Sequence, residues 1–210
     1  MARMSSPSSP GPINPWQRMW TAPAATLLNM VQFGQGDAWA RPLLLGAGLL
    51  SSLAPQVRAA LAQMLPQNAN VLGVALVSGL VLGGLQAFIW PALLQLACRW
   101  LGGQGTPRAT RLAAAWSSLP VLLSYVLAPL GGSGDVADAG AALYGVVSLL
   151  LSAWTLALLV RSLGAAQRLT PFKAGLSVLL GGVLLFVALL AAGFLAALVL
   201  VALGISPQLP

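Results

Sequence analysis

Apolar residues in this chain come in long runs rather than in the sparse stripes of a water-soluble helix. Five runs stand out, over 38–57, 70–98, 112–130, 140–160 and 174–203. Each is to be compared with the roughly 20 residues a helix needs to cross a hydrocarbon core of about 30 Å. The second and fifth exceed that length, which predicts tilt or a kink. Pro91 supplies a kink site in the second, because proline removes a backbone donor and crowds the preceding turn. The first has the shortest apolar core (PLLLGAGLLSSLAP) and is closed by Pro55 and Arg58.

A different periodicity precedes the first run. Trp16, Met19, Trp20, Pro23, Leu27, Met30 and Val31 share one helical face, spaced in the threes and fours of an amphipathic helix. Asn14-Pro15 suits a helix start, with Asn14 as N-cap and proline in the first turn, and Pro23 breaks the segment into two short helices. Two tryptophans on the apolar face beside Arg18 fit the headgroup layer. The same face equally suits packing on the cytoplasmic end of a bundle. Residues 1–13, rich in Ser and Pro and with no apolar run after Arg3, read as a disordered tail. The amphipathic segment then occupies 14–37, a five-helix membrane domain 38–203 and a short tail 204–210.

Charge placement decides that the first run counts as a span. With five spans, Arg3, Arg18, Arg41, Arg99, Arg108, Arg111, Arg161, Arg168 and Lys173 fall on one side. Arg58 alone, with Asp135 and Asp138, falls on the other. Basic residues collect on cytoplasmic loops, so the N-terminus is expected inside and the C-terminus outside. Without the first span, basic residues would move to the outer side and the asymmetry would be lost.

Composition supports the same class. The chain is 58% hydrophobic and 6% charged, with a mean hydropathy of +0.88, whereas a soluble domain carries about 25% charged residues. Such a chain cannot cover itself in water, but in lipid its helices satisfy their own backbone groups. The fold class is therefore all-α, a polytopic membrane protein of five transmembrane helices with an N-terminal interfacial amphipathic segment. There is no histidine, and Cys98 is the single cysteine. Zinc and haem ligand sets are missing, and no cofactor is expected. The net charge of +7 is spread singly along the chain, which fits lipid headgroups rather than nucleic acid.

Candidate chemistry is sparse. No catalytic set can be assembled without histidine, and the spans hold no carboxylate or lysine, which disfavours both an enzyme and ion-coupled transport. Polar groups at membrane depth are Gln86, Gln95, Ser117, Ser118, Ser124, Tyr125, Tyr144, Ser148 and Ser152. They suit a polar groove or hydrogen bonding between helices, and Gln86 and Gln95 flank Pro91, whose freed carbonyls need donors. Small residues recur at Ala75, Gly79, Gly83 and Ala87, and again at Ala188, Ala192 and Ala196. That spacing permits close helix contact within the chain or between copies. Gly102-Gly103-Gln104-Gly105 lacks the strand and the G-K-[ST] ending of a phosphate loop and reads as a flexible connector. Asp135 and Asp138 suit helix capping better than metal binding. Cys98, beside Arg99, suits an apolar contact or acylation.

The segment Asn14-Pro15-Trp16-Gln17-Arg18-Met19-Trp20-Thr21-Ala22-Pro23 resembles the opening of bacterial members of the Yip family, named for Ypt/Rab-interacting proteins. The connector at Gly102–Gly105 followed by Ala115-Trp116-Ser117-Ser118-Leu119-Pro120 is similar as well. So is the stretch from Trp154 to Lys173, with Ala165-Ala166-Gln167-Arg168 and Pro171-Phe172-Lys173. The resemblance covers about residues 14–203. It implies a five-helix membrane domain with a cytoplasmic N-terminus and, in eukaryotic relatives, binding of prenylated Rab-type GTPases. The D-L-Y-G-P signature of those relatives has no counterpart here, so a Rab-type partner is not carried over.

The expected function is a non-enzymatic integral membrane protein of Yip type, an adaptor or organiser. Arg-rich, Lys-poor and Ala/Gly/Leu-heavy usage points to a GC-rich bacterial genome, and the expected location is a bacterial cytoplasmic (inner) membrane. Trp16, Arg18 and Trp20 are the candidate membrane- or partner-contacting residues. The alternative is a lipid- or small-solute-translocating bundle with Gln86, Gln95, Ser117, Ser118, Tyr125 and Tyr144 as its polar track. Expected partners are the lipid bilayer, a membrane protein or a second copy of the chain.

Overall fold

A computed structural model describes residues 11–131 and 139–202. Asp135, Asp138, most of the N-terminal tail, the 204–210 tail and the side chain of Ala196 lie outside the described residues. Every regular element among the described residues is helical. Two short helices, α1 (Pro15–Arg18) and α2 (Pro23–Phe33), precede α3 (Asp37–Leu53) and α4 (Pro55–Met64). Then α5 (Val71–Gly84) runs through a π-helical turn at Leu85–Ile89 into α6 (Trp90–Trp100). The next stretch is α7 (Pro107–Ser117), α8 (Leu119–Leu127) and a 3₁₀ turn at Ala128–Gly131, followed by α9 (Ala139–Gln167) and α10 (Pro171–Ala202).

Among the described residues, four helical stretches are long and apolar enough to cross a membrane: Val71–Trp100, Pro107–Gly131, Ala139–Gln167 and Pro171–Ala192. The pair α3–α4, bent by 58°, makes a fifth when taken as one span. Large apolar side chains such as Leu149, Leu179 and Phe194 are exposed along them, as suits helices surrounded by lipid. The chain is a polytopic, all-α integral membrane protein.

Prolines set the breaks. Ala54, preceding Pro55, is forced out of the helical region to ψ 137, because the proline ring disfavours α geometry in the residue before it. The first span, expected as one run over 38–57, therefore ends at Leu53 and resumes at an angle as α4, whose residues are all at least partly exposed. At Pro91 the expected kink is met by the π-helical turn, in which Trp90 N–H reaches back to Leu85 O. A break not expected from sequence parts α7 from α8 at Ser118, just ahead of Pro120.

Helix ends follow their capping residues. Asn14 Oδ1 accepts from Trp16 N–H (3.1 Å), Asn70 Oδ1 from Gly73 N–H (3.0 Å) and Thr106 Oγ1 from Ala109 N–H (3.2 Å). Each satisfies an amide that has no intrahelical partner.

The tightest helix contact is between α3 and α5. Gly48 lies so close to α5 that an added Cβ would fall 2.1 Å from the Gly83 nitrogen. Ala75, Gly79, Gly83 and Ala87 are all buried, so this stripe serves packing within the chain, as small residues permit. Ala188 and Ala192, by contrast, are exposed. The densest core gathers at one end of the bundle around the fully buried Trp116, Leu112, Leu94 and Leu163. Met19, Leu27 and Met30 of the N-terminal segment are buried there too. The apolar face of that segment is thus spent on the bundle, chiefly on α9 and α7.

Candidate functional site

Antiparallel helices place the start of α3, the end of α6, the start of α7, the end of α9 and the start of α10 at one end of the bundle, under α1 and α2. Arg18, Arg41, Arg99, Arg108, Arg111, Arg161, Arg168 and Lys173 all belong to this end. Asp37, the acidic residue described there, pairs with Arg108, which donates from Nε at 2.8 Å and also from its terminal amino group, and with Arg111 at 3.5 Å. The Arg108 hydrogen bond holds the Asp37 carboxyl below the ordinary carboxylate range, against the opposing effect of partial burial. Asp37 sits ahead of the apolar run of α3, outside the membrane-spanning part. Arg108 also reaches Val31 O (3.4 Å), so the cluster ties α2, α3 and α7 together.

The aromatic residues of the N-terminal segment are anchored rather than free. Trp16 meets Trp116 edge-on at 4.8 Å and Trp39 at 5.7 Å, yet remains 42% exposed. Trp20 is half-buried and donates from Nε1 to Trp16 O (3.0 Å). Arg18 is exposed and makes no ion pair with a described residue. Gly36, at φ +82, approaches the Trp116 ring so closely that a Cβ would lie 2.8 Å from Nε1.

Beneath this surface lies a buried polar network. Gln167 Nε2 donates to Gln95 Oε1 (2.7 Å) and to Thr110 Oγ1, and the Thr110 hydroxyl donates to Gln95 Oε1. Gly105 closes the set: its N–H donates to Gln167 Oε1 (2.8 Å), and its carbonyl accepts from Gln95 Nε2 (3.0 Å). Gln95, Thr110 and Gln167 are all buried, and their full pairing is what makes such burial tolerable. The Gly102–Gly105 connector, expected to be flexible, is thereby fastened to α6 and α9. Gly103 N–H also bonds Cys98 O (2.8 Å), and Gln104 N–H bonds Gln167 O (3.0 Å). Cys98 is fully buried, which suits an apolar contact and shields it from acylation in this arrangement.

The second feature is a cavity of about 370 Å³ at membrane depth, bounded by α3, α5 and its π-helical turn, α6, α7–α8, α9 and α10. Gln86, Ser117, Ser118 and Tyr125 all line it, joined by Thr155, which sequence reading passed over. Gln95 and Tyr144 do not: Gln95 belongs to the network above, and Tyr144 packs on Gly131. Ser124 bonds its own helix at Val121 O, and Ser152 is exposed. The serine donors in the cavity wall turn back on their own helix, Ser117 to Ala113 O (2.5 Å) and Ser118 to Ala115 O (2.6 Å). At the α7–α8 break Val121 N–H donates to Thr155 Oγ1 (3.1 Å). The amide of Gln86, in the π-helical turn, makes no hydrogen bond to a described residue. The wall therefore offers the serine oxygens as acceptors and, with no donated hydrogen bond to a described residue, the Tyr125 and Thr155 hydroxyls and the Gln86 amide, and the lining contains no carboxylate, lysine or arginine.

Comparison with curated proteins and with solved structures finds no match. Residues 18–195 match the family model described as the Yip1 domain. That range takes in every helix from α2 to α9, the anchored connector and most of α10, and the chain belongs to the Yip1 domain family.

Proposed function

We propose that this Yip1-domain protein is a non-enzymatic adaptor of the bacterial cytoplasmic membrane, displaying its basic end to the cytoplasm. One observation carries the reading. Met19, Leu27 and Met30 lock α1 and α2 onto the bundle, so Trp16, seated on Trp116 yet 42% exposed, and the exposed Arg18, which has no ion pair with a described residue, are held in place at this basic end. A surface whose aromatic and basic groups are already ordered loses little entropy on binding. Basic residues gathered at one end also follow the orientation expected of cytoplasmic loops. In-cell crosslinking, purification of the tagged chain and identification of what comes with it test the reading. A stoichiometric partner lost on Arg18→Glu supports an adaptor; recovery of the chain alone, or only as its own oligomer, defeats it.

A second reading, translocation of lipid or small solute, draws on the convergence of Gln86, Ser117, Ser118 and Tyr125 on one cavity between the spans. Movement of labelled lipid between leaflets of reconstituted vesicles is its test, and absence of flux would retire it.

A further inference from the structure

The cavity has a way in. Leu82 on α5 and Leu189 on α10 both line it while remaining 42% and 44% exposed. These two helices pack on different neighbours, α5 on α3 and α10 on α6 and α9, so the cavity meets the bilayer between them. A ligand arriving by that route comes from lipid and carries an apolar chain. Its head must be uncharged, because nothing in the lining would offset the loss of hydration of a phosphate or an ammonium. The head must also form hydrogen bonds: the Gln86 amide has no hydrogen bond to a described residue, and the serine hydroxyls, having donated to their own helix, retain oxygen lone pairs. A volume of about 370 Å³ lies at the small end of ligand pockets, which run roughly from 300 to 1,000 Å³. That is room for a head and the first part of a chain. The π-helical turn adds to the case, since such turns are rare overall and frequent at functional sites.

We propose that this cavity is a binding site for a neutral bilayer amphiphile with a hydroxyl and carbonyl head, of the diacylglycerol kind, entering between α5 and α10 and hydrogen-bonded to Gln86. The proposal shares its cavity with the translocation reading but needs no movement across the membrane.

Gly182 gives a clean test. It lines the cavity, and an added Cβ meets nothing within 4 Å, so Gly182→Leu starts a side chain in open space at the cavity wall and should occupy the site. Gly175 in the same helix is equally open, does not line the cavity and provides the control as Gly175→Leu. The full chain, in nanodiscs, is irradiated with diacylglycerol bearing a diazirine in one acyl chain, and separately with phosphatidic acid bearing the same chain. Diacylglycerol should label peptides from α5 and α10. Labelling should fall to background in Gly182→Leu and stay unchanged in Gly175→Leu. Gln86→Leu should cut it about fivefold, the loss expected of one hydrogen bond. Equal labelling by phosphatidic acid, or labelling indifferent to Gly182→Leu, overturns the proposal whatever the flux assay gives. Labelling sensitive to Gly182→Leu without flux retires translocation and leaves the binding site standing.

Discussion

Gln167, the last residue of α9, donates through Nε2 to Oε1 of Gln95 in α6 at 2.7 Å, across 72 positions of sequence. The contact joins helices that no loop connects directly, and it does so where Thr110 of α7 and the backbone of Gly105 complete the pairing. Gln167→Leu would leave the part-buried Gly105 N–H with no acceptor. The expected cost is about 1–3 kcal/mol for the orphaned group, read as a lower unfolding temperature in detergent. Gln95→Leu and Gln167→Leu combined should cost less than their sum, because residues of one network couple. Additive losses would mean that the two amides act separately.

The same network makes the connector sensitive at one position and tolerant at its neighbour. An added Cβ on Gly105 would fall 2.2 Å from Ala166 O, and 2.8 Å from the Gln167 side-chain amide carbon. Gln104 contributes its backbone N–H and has an exposed side chain. Gly105→Ala should sharply reduce the yield of folded, monodisperse protein. Gln104→Ala should stay within about 0.5 kcal/mol of the parent, as surface changes do. Equal tolerance at both positions would show the connector to be free after all.

Much of this organisation could be read from the chain. Runs of apolar residues and the one-sided placement of arginine are direct consequences of the bilayer, and Gln86, Ser117, Ser118 and Tyr125 were marked by polarity alone at membrane depth. What sequence could not supply was register between helices. Gln95 looked like a companion of Gln86 around Pro91, yet the two glutamines face different sites: Gln86 the cavity, Gln95 the network. Thr110 and Gln167 carried no signal as isolated residues. A polar residue at a helix end beside a glycine-rich connector was the only hint of their pairing. Thr155 was invisible for a related reason, since its partner, Val121 N–H, exists only because α7 breaks before Pro120. The bend at Pro55 was legible as a break, but not the continuation of the chain as α4.

The α3–α5 contact offers a contrast between two glycines in one helix. Gly48 has the Gly83 backbone against it, whereas a Cβ on Gly46 meets nothing within 4 Å. Gly46→Ala should be neutral or stabilise by up to about 1 kcal/mol, the propensity gain of alanine over glycine in a helix. Gly48→Ala must push the two helices apart and lower the unfolding temperature. A matched response at the two positions would place the close approach elsewhere.

Three helices end in the same way, and one does so with the wrong residue. Gln35 N–H bonds Met30 O (3.0 Å), Gly103 N–H bonds Cys98 O (2.8 Å) and Leu169 N–H bonds Gly164 O (2.9 Å). This is the six-to-one closure that requires a left-handed residue just beyond the helix. Gly34 and Gly102 fill that place at φ 68 and 90 for the first two, but Arg168 fills it at φ 56 for the third. A side chain in this region costs about 1 kcal/mol or more, because Cβ crowds the following carbonyl. Arg168→Gly should therefore raise the unfolding temperature, by an amount equivalent to a few tenths to about 1 kcal/mol once the greater freedom of glycine in the unfolded chain is set against it. Arg168→Ala keeps the strain and should bring no gain. If Arg168→Gly instead destabilises the protein while Arg168→Ala does the same, the exposed guanidinium itself is holding the basic end, and the strain at Arg168 is the cost of keeping a positive charge at that corner of the membrane surface.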